Sequence, residues 1–323
     1  MRKRLTFLRN WLRLSRWREW AQSKLLYATA AALLLAPEAP APLLLAMVAT
    51  VAPWAAVGYG INEVADRDAD RRARKPNRAA ALASTSWALF LVLAAGTALG
   101  LSLVWAADAA APLFVLAGIA LAVAYSLPPV RLKERGTIGL LAAAVAQWAL
   151  PVMALSAWQM RGWLRPAAGS LALLGLAIGL RWIAVHQLED APRDRAAGVR
   201  TYASGGRPIR AVILCAFGAE TVLLAAALAF NWPQSMPPVL ALGSWVVAAE
   251  LPRLRRESLR DRLGHYRAAP LREYYFILLP GSLVLRRVLP SPVPLASAAL
   301  LLPLGWLGIT RAIDRWTSSR SRP

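Results

Sequence analysis

The stretch Asn62–Arg78, NEVADRDADRRARKPNR, begins where a long apolar segment ends and continues into a basic loop. Asn62, Asp66 and Asp70 follow one another at intervals of four residues. On a helix, this interval places the three side chains on one face, about 6 Å apart along the axis. Oxygen donors in such a row suit a hard divalent cation, above all Mg²⁺. Asp68 lies about 200° around the helix from Asp66, so we leave it out of the row.

A second stretch, His186–Thr201 with the sequence HQLEDAPRDRAAGVRT, repeats this pattern after another apolar segment. Asp190 and Asp194 are four residues apart, and His186 comes one step before them. One charged stretch alone is equally well explained as a solvated loop. Two such stretches, each at the edge of an apolar segment, favour a shared site. In that site the acidic rows would face each other and hold a metal–diphosphate between them.

Long apolar segments recur along the whole chain of 323 residues, which is 58% hydrophobic with a mean hydropathy of +0.44. They are too many for the core of one soluble domain, so the sequence predicts an all-α, polytopic membrane protein. We place spans at residues 25–46, 47–62, 82–106, 111–127, 137–157, 165–187, 209–230 and 236–251.

The C-terminal part offers two candidates for a ninth span. Tyr274–Leu285 is apolar but short and contains Pro280 and Gly281, so we expect Pro294–Ile309 to cross the membrane instead. The basic residues from Arg311 onward favour the alternative, in which both segments cross and the C-terminus is on the inner side.

The predicted spans form a single transmembrane domain at residues 25–311, between two flanking segments. Residues 1–24 mix leucine and tryptophan with many arginines and predict an amphipathic helix on the membrane surface. Arg18 and Lys24 in this segment could also reach into a cytoplasmic cavity. Residues 312–323 form a basic C-terminal tail.

Much of the positive charge, which totals a net +21, falls in loops at residues 63–81, 128–136, 188–208 and 252–272. Basic alternate loops indicate the cytoplasmic side, so we expect the N-terminus and the loops of the candidate site there. The charge is not part of a soluble module with stacking aromatics, so we exclude nucleic acid as a partner. The preference for arginine over lysine is typical of a GC-rich bacterial genome. We therefore expect a bacterial plasma membrane.

The two acidic stretches and a loop between them resemble the motifs of the UbiA superfamily of intramembrane prenyltransferases. The first stretch resembles its Asn-x-x-x-Asp-x-x-x-Asp motif and is followed by a matching Lys-Pro-x-Arg at Lys75–Arg78. Tyr125–Arg135 resembles its Tyr-Ser-x-Pro-Pro-x-Arg-x-Lys loop. The second stretch is similar to its Asp-x-x-x-Asp-x-x-x-Gly-x-x-Thr motif, here Asp190, Asp194, Gly198 and Thr201.

This resemblance implies a bundle of about nine transmembrane helices around a central cavity that is open to lipid and to the cytoplasm. It also implies Mg²⁺, as two ions that bind the diphosphate of an isoprenyl donor. The donor would ionise to an allylic cation that an acceptor attacks. One ion is assigned to Asn62, Asp66 and Asp70, and the other to Asp190 and Asp194. The residues expected to bind the diphosphate are Asn62, Lys75, Arg78, Arg131 and Lys133.

The catalytic assignments are Asp66, Asp190, Tyr125 and His186. Tyr125 could donate a hydrogen bond to the diphosphate, and the alternative is an ordinary interfacial tyrosine. His186 and Glu63 depart from the superfamily pattern, which has an acidic residue or Asn at the first position and usually Asp at the second. Histidine is a poor Mg²⁺ ligand. His186 could instead donate to a phosphate, orient an aspartate or accept a proton from the acceptor, or it could merely be satisfied at a helix end.

The sequence therefore predicts a Mg²⁺-dependent prenyltransferase whose partners are an isoprenyl diphosphate donor, a small hydrophobic or aromatic acceptor and the lipid bilayer. One alternative is a terpene cyclase that needs no acceptor. Another is a transferase that joins polyprenyl phosphate to a sugar diphosphate. A lipid transporter or scaffold is the non-enzymatic alternative. Arg181 and Glu220 fall inside predicted spans and are either functional or a buried structural pair.

Overall fold

The computed structural model describes residues 10–72, 74–105, 109–159, 165–266, 268–289 and 291–320, with side chains described up to residue 310 except at 81, 105 and 159. Within these ranges the regular secondary structure is helical, and no strand occurs. The expected all-α fold class is therefore confirmed.

The N-terminal helices are α1 (Trp17–Trp20, the π-helical turn Ala21–Leu25 and Leu26–Leu35), α2 (Ala41–Ala65), the short α3 (Arg67–Arg72), α4 (Ser84–Trp105) and α5 (Ala110–Ser126). The central helices are α6 (Thr137–Ala144, the π-helical turn Val145–Ala149 and Leu150–Gln159) and α7 (Pro166–Ala196). The C-terminal helices are α8 (Ile209–Phe230), α9 (Met236–Trp245, the π-helical turn Val246–Glu250 and Leu251–Leu254), the short α10 (Leu259–Leu263), α11 (the π-helical turn Tyr274–Leu278 and Leu279–Val288) and α12 (Pro292–Arg320). Single 3₁₀ turns occupy Ala79–Ala81 and Leu132–Glu134.

Six helices in the described part of the chain have the length and hydropathy needed to cross a membrane. They are Ala41–Ala65, Ser84–Val104, Thr137–Trp158, Pro166–Ala196, Ile209–Phe230 and Pro292–Thr310. The apolar helix Ala110–Ser126 is shorter. A polytopic helical bundle is thus present, whereas a count of nine spans is not confirmed within the described ranges.

The first two spans meet at a different place from the one we predicted. α1 ends at Leu35 and α2 begins at Ala41, so the predicted boundary between residues 46 and 47 was wrong. The chain reverses at Ala36–Pro40, where Pro37 and Pro40 lie in the sequence APEAP. Proline lacks a backbone donor and disfavours a helical residue before it, so this segment cannot continue α1.

Helix α11 contains Tyr274–Leu285, which we did not expect to cross the membrane, and it is not among the six candidate spans of the described residues. Its residues Tyr274, Tyr275 and Leu278 are fully buried. Pro280 stands in the first turn after the π-helical segment, where proline is tolerated, so it does not break the helix. At the far end, Arg287 donates to the carbonyl oxygens of Pro37 at 3.1 Å and Ala39 at 2.8 Å. α11 therefore runs to the turn between α1 and α2.

The predicted domain boundaries do not coincide with helix ends. The π-helical turn Ala21–Leu25 joins the N-terminal segment to the rest of α1, so the helix is continuous across residue 24. Likewise, α12 continues to Arg320, past the predicted start of the tail at residue 312. Residues 1–9 and 321–323, which belong to the two predicted flanking segments, lie outside the described residues.

Aromatic side chains join α1, α6, α7 and α11 in the core of the bundle. Trp148 packs 5.5 Å from Tyr27 and 6.1 Å from Phe276, measured between ring centroids. Trp182 lies 5.8 Å from the same Phe276. The Tyr27 hydroxyl donates to the carbonyl oxygen of Leu171 at 2.7 Å, so its polar end is satisfied inside the apolar core. Trp148 and Trp182 of this core also line a cavity.

Candidate active site

A cavity of about 710 Å³ opens at the end of the bundle that carries Asn62–Arg78, which we call the motif end. Its walls come from the start of α1 and from α2, α5, α6 and α7. Asn62, Tyr125 and His186 line it near the motif ends of three of these helices. The expected central cavity is present. Two π-helical turns contribute to its wall, through Lys24 in one and Gln147 in the other, and such turns are frequent at functional sites.

The first acidic row, Asn62, Asp66 and Asp70, spans a break between two helices. α2 ends at Ala65 and α3 starts at Arg67. Helical hydrogen bonds nevertheless continue across this break, so the three residues keep their helical spacing. The amide of Asp66 donates to the Asn62 carbonyl oxygen at 3.0 Å, and the amide of Asp70 donates to the Asp66 carbonyl oxygen at 2.7 Å.

Two basic residues of the 127–136 loop meet this first row. The Lys133 ammonium contacts the Asp66 carboxylate and lies 3.5 Å from Asn62 Oδ1. Arg131 Nη2 is 3.5 Å from Asp66 Oδ1. Burial lowers the pKa of Lys133 below its ordinary value, although the charge of Asp66 acts in the opposite direction. The ammonium is therefore held by one carboxylate in a poorly hydrated position.

The second acidic row, Asp190 and Asp194 on α7, is linked to the loop after the first row by Lys75. Lys75 Nζ lies 3.3 Å from Asp190 Oδ2 and 3.3 Å from Asp194 Oδ1. Burial opposes the charged form of Lys75, but the two carboxylates outweigh it and raise the pKa of this lysine. His186 Nε2 is 3.7 Å from Asp190 Oδ2, and the Thr201 hydroxyl donates to Asp194 at 3.4 Å. Lys75 thereby links the loop of the first acidic row to the second row, next to His186 at the cavity wall.

Asp70 and Arg78 bind residues of their own stretch, whereas Asp66 and Lys75 contact other segments of the chain. Asn77 Nδ2 donates both to Asp70 Oδ2 at 2.8 Å and to the Glu63 carbonyl oxygen at 2.7 Å. Arg78 donates to the buried Glu63 carboxylate through its amide at 2.8 Å and through Nη1 at 2.7 Å. Burial raises the pKa of Asp70, and the hydrogen bond from Asn77 partly offsets this. These contacts shape the loop that presents Lys75, and they leave Asp70 and Arg78 engaged within it.

The N-terminal segment supplies cavity residues that the motifs do not include. Arg18 and Lys24 both line the cavity, as their positions in the sequence allowed. Lys24 Nζ donates to the Tyr59 hydroxyl at 2.6 Å and lies 5.4 Å from the ring centroid of Trp148. Arg16 Nη1 reaches the Glu63 carboxylate at 3.6 Å. In the sequence these are ordinary basic residues of an amphipathic segment, and no local signal separates them from their neighbours.

His265 is a further cavity residue that the sequence did not identify. It lies in the loop after α10, and the chain's other histidine, His186, lines the same cavity. The adjacent Tyr266 amide donates to Glu189 at 3.1 Å, and the Tyr266 ring packs edge-on at 4.6 Å from Trp182. These contacts attach the loop to α7. His265 reaches the same cavity as His186 only through the fold, because the two residues are 79 positions apart in the sequence (265 − 186).

Arg181 and Glu220 form a buried structural pair and not a cavity site. Arg181 donates to Glu220 through Nε at 2.6 Å and through Nη2 at 2.8 Å, and both side chains have 0% exposure. The guanidinium also stacks 4.5 Å from the ring centroid of Trp182. A second buried pair joins Arg262 to Glu250 at 2.6 Å. The structural alternative for Arg181 and Glu220 is the one observed.

The donor groups at the cavity mouth fit Mg²⁺. Among the described residues, no three His, Cys, Asp or Glu side chains converge into a preformed metal cage. Mg²⁺ usually binds through one or two carboxylates together with substrate phosphates and water, so it does not require such a cage. Asp66 and the second row offer oxygen donors, and each already holds a positive group, Lys133 or Lys75. The sites are therefore cation sites by their chemistry.

Comparison with known proteins shows the family to which this chain belongs. The model of the UbiA prenyltransferase family matches residues 25–266. A UbiA homologue from Archaeoglobus fulgidus, in a structure bound to DMAPP and Mg²⁺, has a TM-score of 0.57 and 17% identity, with coverage of 90% of this chain and 99% of that chain. A second structure, described as a UbiA homologue from Archaeoglobus fulgidus, has a TM-score of 0.58 and 15% identity, with coverage of 90% and 99%. A third, bound to GPP and Mg²⁺, has a TM-score of 0.52 and 15% identity, with coverage of 94% and 99%.

At 15–17% sequence identity, these structural matches show a shared fold and nothing more. A search of curated proteins found no match. Six helices with the properties of membrane spans, together with the family match, identify an integral membrane protein. Because the family model covers most of the sequence, the chain belongs to the UbiA prenyltransferase family.

Proposed function

We propose that this protein is a Mg²⁺-dependent intramembrane prenyltransferase that moves an isoprenyl group from an isoprenyl diphosphate to an aromatic acceptor. One observation carries the proposal. Lys75, from the loop after the first acidic row, bridges both carboxylates of the second row, next to His186, which lines the cavity. The homologues from Archaeoglobus fulgidus bound to DMAPP or GPP with Mg²⁺ support the choice of donor and metal.

The diphosphate would bind at the mouth, between the two acidic rows. Asn62 and Asp66 would hold one Mg²⁺, with Asp70 as the third member of the row, and Asp190 with Asp194 would hold the second. When bound, Mg²⁺ supplies Lewis-acid stabilisation of the charge that develops on the departing diphosphate. Lys75, Arg131 and Lys133 would exchange their carboxylate partners for phosphate oxygens, Arg131 as a planar fork and the lysines as point charges. Arg78 would act mainly through the loop.

The isoprenyl chain would lie in the apolar part of the cavity. Breaking the allylic carbon–oxygen bond sends its electron pair to the diphosphate and leaves an allylic cation. The rings of Trp54, Tyr59 and Trp148 line this space and can face such a cation. Burial among the helices keeps water away from it, which prevents hydrolysis. The acceptor then forms the new carbon bond and loses a proton.

His186 is proposed to accept that proton, and Tyr125 to donate a hydrogen bond to the diphosphate. The His186 side chain is 53% exposed, yet it borders the cavity, so cavity contents can reach it. Its Nε2 lies 3.7 Å from Asp190 Oδ2, and this carboxylate would orient the ring and stabilise the imidazolium that forms when His186 takes the proton. Tyr125 lies in the electrostatic field of both Asp66 and Asp194, between the two rows.

The membrane placement is part of the proposal. The basic loops at the motif end are proposed to face the cytoplasm of a bacterial cell, because basic loops are retained on that side. The donor and the product would then stay in the plasma membrane while the diphosphate leaves through the mouth. Single cysteines are introduced at Arg71 or Trp232 in a Cys215→Ala background, because Cys215 is itself exposed, and their accessibility to a membrane-impermeant reagent in intact cells measures this orientation. Labelling at position 71 from outside would reverse it.

The enzymatic proposal is tested with the purified full chain, Mg²⁺ and isoprenyl diphosphates of several lengths, with and without aromatic acceptors. Diphosphate release is measured, and the lipid extract is analysed by mass spectrometry. We expect release that depends on the acceptor and a product whose mass is that of the acceptor plus the isoprenyl group, less one hydrogen. Release without acceptor, with a cyclised product, would indicate a terpene cyclase instead. Turnover only with a sugar diphosphate and polyprenyl phosphate would indicate the other transferase, and no turnover with any donor would support a transporter or scaffold.

A further inference from the structure

We propose that Trp54 and Trp148 close the apolar end of the cavity and thereby set the longest isoprenyl chain that this protein accepts. This inference rests on the proposed function and deepens it, because it names the substrate class as short-chain isoprenyl diphosphates. A stretched geranyl chain stays within the depth of the cavity, whereas a stretched geranylgeranyl chain exceeds it.

The depth of the cavity follows from three helices that line it together. Trp54 lies eight residues before Asn62 on α2, which is about 12 Å along a helix. Gly118 lies seven residues before Tyr125 on α5, about 10 Å along a helix. Gly179 precedes His186 by the same interval on α7. Each helix therefore places a cavity residue about two turns below a polar residue of the mouth.

Trp54 forms the floor because α5 has no side chain beneath its ring. A Cβ added at Gly118 would lie 2.1 Å from Trp54 Cζ2 and 2.6 Å from Nε1, so the indole rests directly on this glycine. Below it, Ala98, Val115 and Ala154 have no solvent exposure and pack as one cluster with Trp54. Packed protein therefore lies beneath this ring, and Val51, three residues before Trp54 on α2, also lines this end of the cavity.

Trp148 closes the side of the cavity that faces α1 and α11. A Cβ at Gly179 would lie 2.6 Å from Trp148 Cδ1, so this indole is also seated on a glycine. Its other neighbours are Tyr27 of α1 at 5.5 Å and Phe276 of α11 at 6.1 Å, between ring centroids. Three aromatic rings thus separate the cavity from that side of the bundle.

Small residues contribute to the wall between mouth and floor, together with larger ones such as Tyr59 and Ile183. Ala55, Gly58, Ala122, Ala143 and Ala146 line it. Small side chains leave width for a branched isoprenyl chain, whereas the two indoles limit its length. A stretched carbon chain advances about 1.3 Å per bond, so a geranyl chain spans roughly 9 Å and a geranylgeranyl chain roughly 19 Å. The first length matches the distance from mouth to floor, and the second exceeds it.

The test measures binding and turnover of dimethylallyl, geranyl, farnesyl and geranylgeranyl diphosphates with Mg²⁺ by the full-length protein. Binding is read separately from chemistry by thermal stabilisation with the corresponding thiolodiphosphates, which do not ionise readily. For the native chain we expect geranyl to bind best and geranylgeranyl to bind at least about tenfold more weakly, since a single misfitting methylene already costs that much in a closed pocket.

Two variants enlarge the closed end, Trp54→Leu and Trp148→Leu. Each is expected to improve geranylgeranyl binding at least about tenfold relative to geranyl. Trp158→Leu is the matched control, because Trp158 lies on α6 with Trp148, is equally buried at 3% exposure and does not line the cavity. It should keep the native preference for chain length. If a leucine variant does not fold, Trp54→Phe and Trp148→Phe test the same change with a smaller loss of volume.

A third variant, Ala146→Leu, narrows the wall and should weaken geranyl binding while dimethylallyl binding is retained. Equal binding of all four donors by the native chain would overturn the inference, and so would tryptophan variants with the native length preference. In both outcomes donor binding itself persists, so the proposed function survives. Absence of binding by every donor would refute the proposed function, and the inference with it.

Discussion

Two groups of charged residues on helix α7 have opposite characters. Asp190 and Asp194 at the motif end share Lys75 at 3.3 Å from each, and all three side chains are only partly buried. About two turns deeper, Arg181 forms a two-point pair with Glu220 at 2.6 and 2.8 Å, and both have 0% exposure. The first group can exchange partners with a ligand from the cavity mouth, whereas the second cannot reach water or ligand.

The difference follows from desolvation. A fully buried ion pair keeps its charges only while both partners remain, because neither can be solvated alone. A partly exposed pair with one lysine between two carboxylates contributes little to stability and is easily reorganised. Charge on a transmembrane helix is therefore no indicator of function by itself. Its access to the cavity decides which role it has.

The largest expected effect comes from breaking the deep pair. Glu220→Leu leaves the Arg181 guanidinium buried without its partner and should lower the free energy of unfolding by about 3–5 kcal/mol. Thermal unfolding of the purified protein in detergent measures this change. The double variant Arg181→Met with Glu220→Leu removes both charges and should recover most of the loss. A double variant no more stable than the single one would contradict a purely structural role.

At the motif end, Asp190→Asn should have the opposite profile, with a large loss of activity and little loss of stability. We expect diphosphate release to fall at least about 100-fold, the usual size for removing one group that stabilises developing charge. Asp66→Asn should behave in the same way. An unfolding temperature lowered as far as in Glu220→Leu would show that the second acidic row is structural after all.

Lys75→Met tests the link between the two acidic rows. Without the ammonium, the carboxylates lose a shared partner but remain partly hydrated, so the cost in stability should stay below about 1 kcal/mol. The apparent KM for the donor should rise about tenfold, as expected for one lost phosphate contact of about 1.4 kcal/mol. Steady-state kinetics at several donor concentrations provides the measurement. No change in either KM or kcat would place Lys75 outside the diphosphate site.

The smallest effect is expected for Asp68→Asn, which serves as the control for the acidic positions. Asp68 lies between Asp66 and Asp70 in sequence, but its side chain is 70% exposed and only approaches Arg67 at 3.8 Å. Stability should change by less than about 0.5 kcal/mol and activity should not change. A loss of activity comparable to that of Asp66→Asn would mean that overall negative charge matters, and not the four-residue row.

Sequence periodicity and motif spacing predicted the positions of the acidic rows and of Lys75 and Lys133 around one mouth. They could not predict that Asp70 and Arg78 would be tied to Asn77 and Glu63, because those bonds depend on how the loop folds back. Nor could they identify His265, which reaches the cavity only through the packing of a distant loop. They also could not predict how deeply α11 is buried, because packing by protein, which hydropathy does not measure, supports a short helix interrupted by a π-helical turn.

The sequence by itself determined the class of this protein. Apolar segments of membrane length specify helices in a bilayer, and three motifs with ordered spacing specify the family and the acidic rows. These are local properties, set by which residues stand three or four positions apart. The tertiary structure decided the rest: which charges pair out of reach of the cavity, which basic residues of α1 enter it, and how deep it is. Those features depend on contacts between residues far apart in sequence, such as Trp54 on Gly118, and no local pattern encodes them.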